Sequence, residues 1–144
     1  MYTHILLPTD GSDLSKAAIK HGIALAKTTG AKVTALVVST PLQSLVVDPN
    51  AATKALAQYK LLVAEQTAKY LDHVQEDAER LGVRCATLCV EHDTPYEAIV
   101  DTAREQDCDL VVMASHGLRG VTALLGSETL KVLTHSTIPI LVYR

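Results

Sequence analysis

Two loops carry the residues whose types and spacing could do chemistry. The first is Pro8-Thr9-Asp10-Gly11-Ser12, directly after the compact apolar run His4-Ile5-Leu6-Leu7. A carboxylate in such a loop can accept a hydrogen bond from a ribose hydroxyl or a base amino group. The competing reading is that Asp10 or Ser12 simply caps a following helix. The second loop is Ala114-Ser115-His116-Gly117-Leu118-Arg119-Gly120, followed by Gly126-Ser127 at a helix start. Glycines let backbone amides turn toward an anion, and a helix N-terminus adds partial positive charge. Ser127 can offer its hydroxyl to the same phosphate. Loop glycines with a serine cap would explain these residues without any ligand.

Other candidates are weaker. His116 has no nucleophile or acid with an evident task beside it, and a loop-anchoring hydrogen bond accounts for it. The Arg119 guanidinium can reach a phosphate, although a solvated loop arginine is the ordinary reading. His4, His21, His73, His92 and His135 show no metal-ligand spacing. Cys85, Cys89 and Cys108 are odd in number and not spaced as a metal site, so all three are expected to be buried small hydrophobes. Neither a G-x-x-x-x-G-K-[ST] loop nor a G-x-G-x-x-G after the first strand is present. If a nucleotide binds, its phosphates must meet the later glycine loop.

The elements that would position these loops alternate. His4–Leu7 reads as a buried strand, and 12–29 as a helix with Leu14, Ala18 and Leu25 on one face and Gly30 as its stop. Residues 33–38 form a second apolar run. A loop over 40–50 leads to a helix from about Ala51 to Leu81, with Leu56, Tyr59, Val63, Tyr70, Val74, Ala78 and Leu81 as its inner stripe and Gly82 as its stop. Strands follow over 83–90, 110–114 and 138–143. Between them are helices opened by Thr94-Pro95 and by Ser127. Strands separated by helices imply right-handed crossovers and a doubly wound, five-stranded parallel α/β sheet, Rossmann-like, with helices on both faces. No linker, repeat or low-complexity tract divides residues 1–144, so one domain is expected. Such sheets bind ligands at the carboxyl ends of their strands where the strand order reverses. The two loops above lie at that edge.

Composition narrows the function classes. Of 144 residues, 48% are apolar and 20% charged, which excludes disorder. The net charge is −3, Trp and Phe are absent, and no basic cluster stands out, so nucleic-acid binding is set aside. No apolar stretch approaches the ~18 residues of a membrane span. The N-terminus lacks the pattern of a signal peptide. A cytoplasmic location is therefore expected.

Taken together, Ile5-Leu6-Leu7-Pro8-Thr9-Asp10-Gly11-Ser12, Val111-Val112-Met113-Ala114-Ser115-His116-Gly117, Gly126-Ser127 and Ile138-Pro139-Ile140-Leu141-Val142 resemble the universal stress protein family in order along the whole chain. The ATP-binding branch of that family carries G-x-x-G-x9-G-[ST]. Here Ala114 stands at the first glycine, and eight residues rather than nine separate Gly117 from Gly126. The resemblance implies that ATP is held, with ADP and AMP left open. Asp10 would contact the nucleoside, and Pro8 and Thr9 would lie beside the adenine. Val38 would meet the base through its backbone. Ala114 would face the ribose through its own backbone, and Gly117, Gly126 and Ser127 would hold the phosphates.

A sheet order of 3-2-1-4-5 would leave the last strand at an edge. Ile138–Tyr143 is apolar and has no lysine guard, so pairing with a second copy would satisfy its backbone. The resemblance likewise implies a homodimer through that strand. The leading expectation is a nucleotide-binding stress-response module, with no catalytic base or metal-ligand set to name. A nucleotide-free dimeric interaction protein of the same family is the alternative. A phosphoacceptor receiver domain would need an acidic cluster around Asp10 and a lysine near the last strand, and neither is present.

Overall fold

The computed structural model describes residues 1–41, 53–117 and 125–144. The strands are β1 (His4–Pro8), β2 (Lys32–Ser39), β3 (Cys85–Glu91), β4 (Leu110–Ala114) and β5 (Ile140–Tyr143). The helices are α1 (Asp13–Thr29), α2 (Thr53–Arg80), α3 (Pro95–Glu105) and α4 (Ser127–His135). All five strands are parallel in one sheet, in the order β3-β2-β1-β4-β5. This is the doubly wound α/β sheet expected from the alternating pattern.

Strand periodicity divides the core. Ile5 and Leu7 of β1 face one way with Val33 and Val112, and pack against Ile19, Ile23, Leu71 and Val74 of α1 and α2. Leu6 faces the other way with Leu36, Val111 and Met113, against Ile99 of α3 and Val132 of α4. Central strands buried on both faces read as unbroken apolar runs for this reason. β1 pairs with both β2 and β4, so the chain reverses its direction of winding at β1.

Several boundaries and faces differ from expectation. Ser12 precedes α1 rather than opening it: its hydroxyl accepts the Ser15 amide (3.3 Å). The buried stripe of α1 is Ser15, Ala18, Ile19, Gly22, Ile23 and Ala26, with Leu14 and Leu25 only half-buried. Gly30 and Gly82 adopt φ of 74° and 75°, which a side chain would resist, and end α1 and α2. β3 starts at Cys85 rather than Val83, because the Val83 amide donates to Ala78 O (2.9 Å) at the end of α2. β5 starts at Ile140 rather than Ile138. Ser136 Oγ accepts the Ile138 amide (3.0 Å) and donates to its carbonyl (2.9 Å), while Pro139 has no N–H.

The expected inner stripe of α2 is fully buried only at Val74 and Ala78, with Leu56 and Tyr70 half-buried. Tyr59, Val63 and Leu81 are exposed, and Leu71, outside the expected stripe, is buried. A helix of 28 residues is about 42 Å long, longer than the strands it covers. The cysteine expectation also fails for two of three. Cys108 is buried, Cys85 is half-buried and Cys89 is exposed, because β3 is an edge strand whose cover by α2 is incomplete. The expected start of α2 at Ala51 and most of the 40–50 loop lie outside the described residues.

Candidate functional site

At the carboxyl ends of β1, β2 and β4 lies a cleft of about 510 Å³. Pro8, Thr9 and Asp10 enter it from the end of β1, Val38 from β2, and Ala114, His116 and Gly117 from the end of β4. Gly126 and Ser127 enter from the start of α4. Nine of the ten candidate residues thus share one cavity, and Arg119 lies outside the described residues.

The β1 loop is held by its own hydroxyls. The Thr9 amide donates to Leu36 O (2.9 Å), tying the loop to β2. Thr9 Oγ1 accepts the Gly11 amide (3.2 Å) and lies 2.9 Å from Ser15 Oγ and 3.1 Å from the Tyr70 hydroxyl. Burial, foremost, pushes the Tyr70 phenol above its ordinary value; the Thr9 bond opposes this and the Asp10 charge adds to it. Asp10 Oδ1 accepts the Ser12 amide (3.0 Å). Ser12, then, is the side chain that caps α1, while the Asp10 carboxylate turns toward the second loop. A side chain at Gly117 would overlap Asp10 Oδ2, so the two loops meet only because residue 117 has none.

The β4 end is fixed just as firmly. The Ser115 amide donates to Tyr143 O (2.7 Å), and the Gly126 amide donates to Ser115 O (2.7 Å). Thr129 Oγ1 donates to Ala114 O (3.0 Å), which pins the first turn of α4 to the end of β4. A Cβ at Gly126 would come within 3.1 Å of His116 Cα. His116 Nδ1 lies 3.3 Å from Gly117 O, a local loop contact. Gly126 is the N-cap of α4 and supplies no side-chain bond. Among the described residues the N-cap position therefore offers no side-chain acceptor to the first amides of α4 beside the cleft, an arrangement that attracts an anion.

Other lining residues were not singled out from the sequence. Leu36, Ile99 and Met113 form apolar wall, and Pro95 brings the start of α3 to the same rim. Parallel topology was the available signal, because every helix that follows a strand must begin at this edge. Glu128 lines the cleft and accepts the Tyr96 amide (2.9 Å) through Oε2, so it caps α3 from a neighbouring helix. Thr94, the N-cap residue of α3, makes no side-chain capping bond. Among the described residues no group of three or more His, Cys, Asp or Glu side chains is arranged to hold a metal ion. Nor is any described helix long and apolar enough to cross a membrane.

Comparison with known proteins bears on this geometry. The model of the universal stress protein family matches residues 1–144. The chain belongs to that family. Universal stress protein MJ0531 of Methanocaldococcus jannaschii is 34% identical over 148 aligned residues, covering 100% of this chain and 83% of that one. The solved universal stress protein UspA from Lactobacillus plantarum superposes with a TM-score of 0.85 at 25% identity, over 99% of this chain and 98% of its own. A universal stress protein solved in complex with cAMP superposes with a TM-score of 0.72 over 99% and 97% of the two chains. At 23% identity that likeness speaks for the fold.

Proposed function

We propose that this universal stress protein binds a nucleotide in the cleft between β1 and β4, with ATP the first candidate and ADP and AMP the alternatives. One observation carries the reading: an apolar wall, an acid and an uncapped helix N-terminus converge on one cavity. The wall of Leu36, Val38, Ile99 and Met113 suits a base. Asp10 suits a nucleoside hydroxyl or amino group. Gly117, Gly126 and Ser127 suit phosphate oxygens. The fold accommodates a cyclic nucleotide in the relative solved with cAMP.

In this reading the chain is one cytoplasmic domain that responds to nucleotide and pairs as a homodimer through β5 and the Ile138-Pro139 segment before it. Leu141 on that edge strand is 41% exposed, and edge backbone groups invite a partner strand. Binding to the folded state alone stabilises it by about 2.7 kcal/mol at a hundredfold excess over Kd. That is enough to bias loops around the cleft.

The test is calorimetric and thermal-shift titration with ATP in the presence of Mg²⁺, after removing and identifying any co-purified nucleotide, with Gly117→Val as control. Micromolar binding abolished by the substitution supports the reading. No heat and no shift from an empty, folded chain would favour a nucleotide-free dimeric interaction protein, a reading to which Ala114 and the eight-residue spacing lend weight. Sedimentation of Leu141→Glu, expected to be monomeric, tests the dimer separately.

A further inference from the structure

The anion end of the cleft carries a fixed negative charge. Glu128 is the second residue of α4 and lines the cleft beside Gly126 and Ser127. Its carboxylate is held at both oxygens: Oε2 accepts the Tyr96 amide (2.9 Å) and Oε1 accepts Lys131 Nζ (3.3 Å). Donors from two helices keep it at the rim. Among the described residues lining the cleft, the acids are Asp10 and Glu128, and none is lysine or arginine. A carboxylate in the first turn draws on the same partial positive charge that would hold a phosphate. It also repels the phosphate directly.

We propose that Glu128 sets how much phosphate charge the cleft accepts, favouring a nucleoside monophosphate over a triphosphate unless a divalent cation accompanies the latter. The proposal rests on the nucleotide reading above. A monophosphate brings about two negative charges at neutral pH, and each further phosphate adds to the repulsion. Mg²⁺ carried on the phosphates offsets that excess, a mode of binding this ion commonly takes. Lys131 tempers Glu128 in the native protein, so the two side chains together define the discrimination.

The experiment is calorimetric titration of the full, nucleotide-stripped chain with AMP, ADP and ATP, in EDTA and in Mg²⁺ at constant ionic strength. In EDTA the native chain should bind AMP at least about tenfold more tightly than ATP, with Mg²⁺ closing the gap. Glu128→Gln keeps an acceptor for the Tyr96 amide while losing the charge, and should narrow the gap in EDTA. Lys131→Gln, at a half-exposed side chain whose loss does not threaten folding, should widen it. Equal AMP and ATP affinities in EDTA, or a gap that Glu128→Gln leaves unchanged, would overturn the selection and leave the nucleotide reading standing. A folded chain that binds none of the three would overturn both.

Discussion

A single methyl group at position 117 would collide with the carboxylate of Asp10. A Cβ there overlaps Asp10 Oδ2 and comes within 3.2 Å of its Cγ. Gly117 is not among the positive-φ glycines, so alanine brings no backbone strain. The cost of Gly117→Ala must come through Asp10, which has to turn and release the Ser12 amide from Oδ1 (3.0 Å). A hydrogen bond to a charged group contributes about 1.5–3 kcal/mol, and water restores part of it at an exposed residue. A stability loss of about 1 kcal/mol is expected, or about 2–5 °C in Tm for a chain of this size. Nucleotide binding should suffer more, because the acid leaves the position where it meets the nucleoside. A tenfold loss of affinity, about 1.4 kcal/mol, is the minimum expected. Thermal melts and calorimetric titration with Mg²⁺ and ATP should be run on the native chain, Gly117→Ala, Asp10→Ala and the double variant. If collision is the cause, alanine at 117 costs almost nothing once Asp10 is alanine, and the cycle shows a coupling of about 1 kcal/mol. Additive free energies, or a Gly117→Ala chain that binds like the native one, would refute the reasoning.

Three further outcomes follow from other parts of the fold. His4 is buried with Nε2 2.7 Å from Thr34 Oγ1, and its Nδ1 is buried without a hydrogen-bond partner among the described residues. Burial, then the Lys32 charge, holds its pKa below the ordinary 6.5, against opposing contributions from Gln106, Asp109 and Asp107. The unfolded chain therefore takes up this proton first. The stability from neutral His4 is full above pH 6.5 and is lost as pH falls through the folded value. Urea unfolding at pH 7 and pH 5 should show this loss in the native chain and much less of it in His4→Gln; equal losses would count against it. Gly22→Ala places a methyl group into the buried Leu7 side chain. Overpacking outweighs the gain in helix propensity, so a net loss of about 1–2 kcal/mol is expected in urea, and no loss would mean that Leu7 moves freely aside. Finally, Ellman's reagent should modify exposed Cys89 rapidly. Cys108 should react only on unfolding, because it is buried and burial pushes its thiol up to about 11. One fast phase for all three thiols would contradict the packing.

Local pattern sufficed for much of this protein. The runs around Leu6, Leu36 and Val111 were legible as strands because residues buried on both faces leave no polar alternation. Gly30 and Gly82 were legible as helix stops because few other residues accept their backbone conformation. The loops holding Asp10 and Gly117 could be named as site candidates because parallel topology sends strand ends to one edge. Burial along α2 was not legible, since Tyr59 and Val63 fit the same helical period as Val74, and only the position of the sheet decides which turns are covered. The exposure of Cys89 was not legible for a related reason: exposure at an edge strand depends on its neighbour, not on its own residue type.

The site divides along the same line. Sequence alone determined that an acid, several glycines and a serine stand in loops after the first and fourth strands, because turn chemistry and capping are local. The Ser12 cap is one of the two local options the sequence left open, and only tertiary structure decided that the Asp10 carboxylate faces Gly117. It also decided that Glu128 caps a different helix at the rim of the same cleft. The approach of Asp10 to Gly117 and the bond from Tyr96 to Glu128 join residues far apart in the chain, and their geometry exists only once the sheet has brought the loops to one edge.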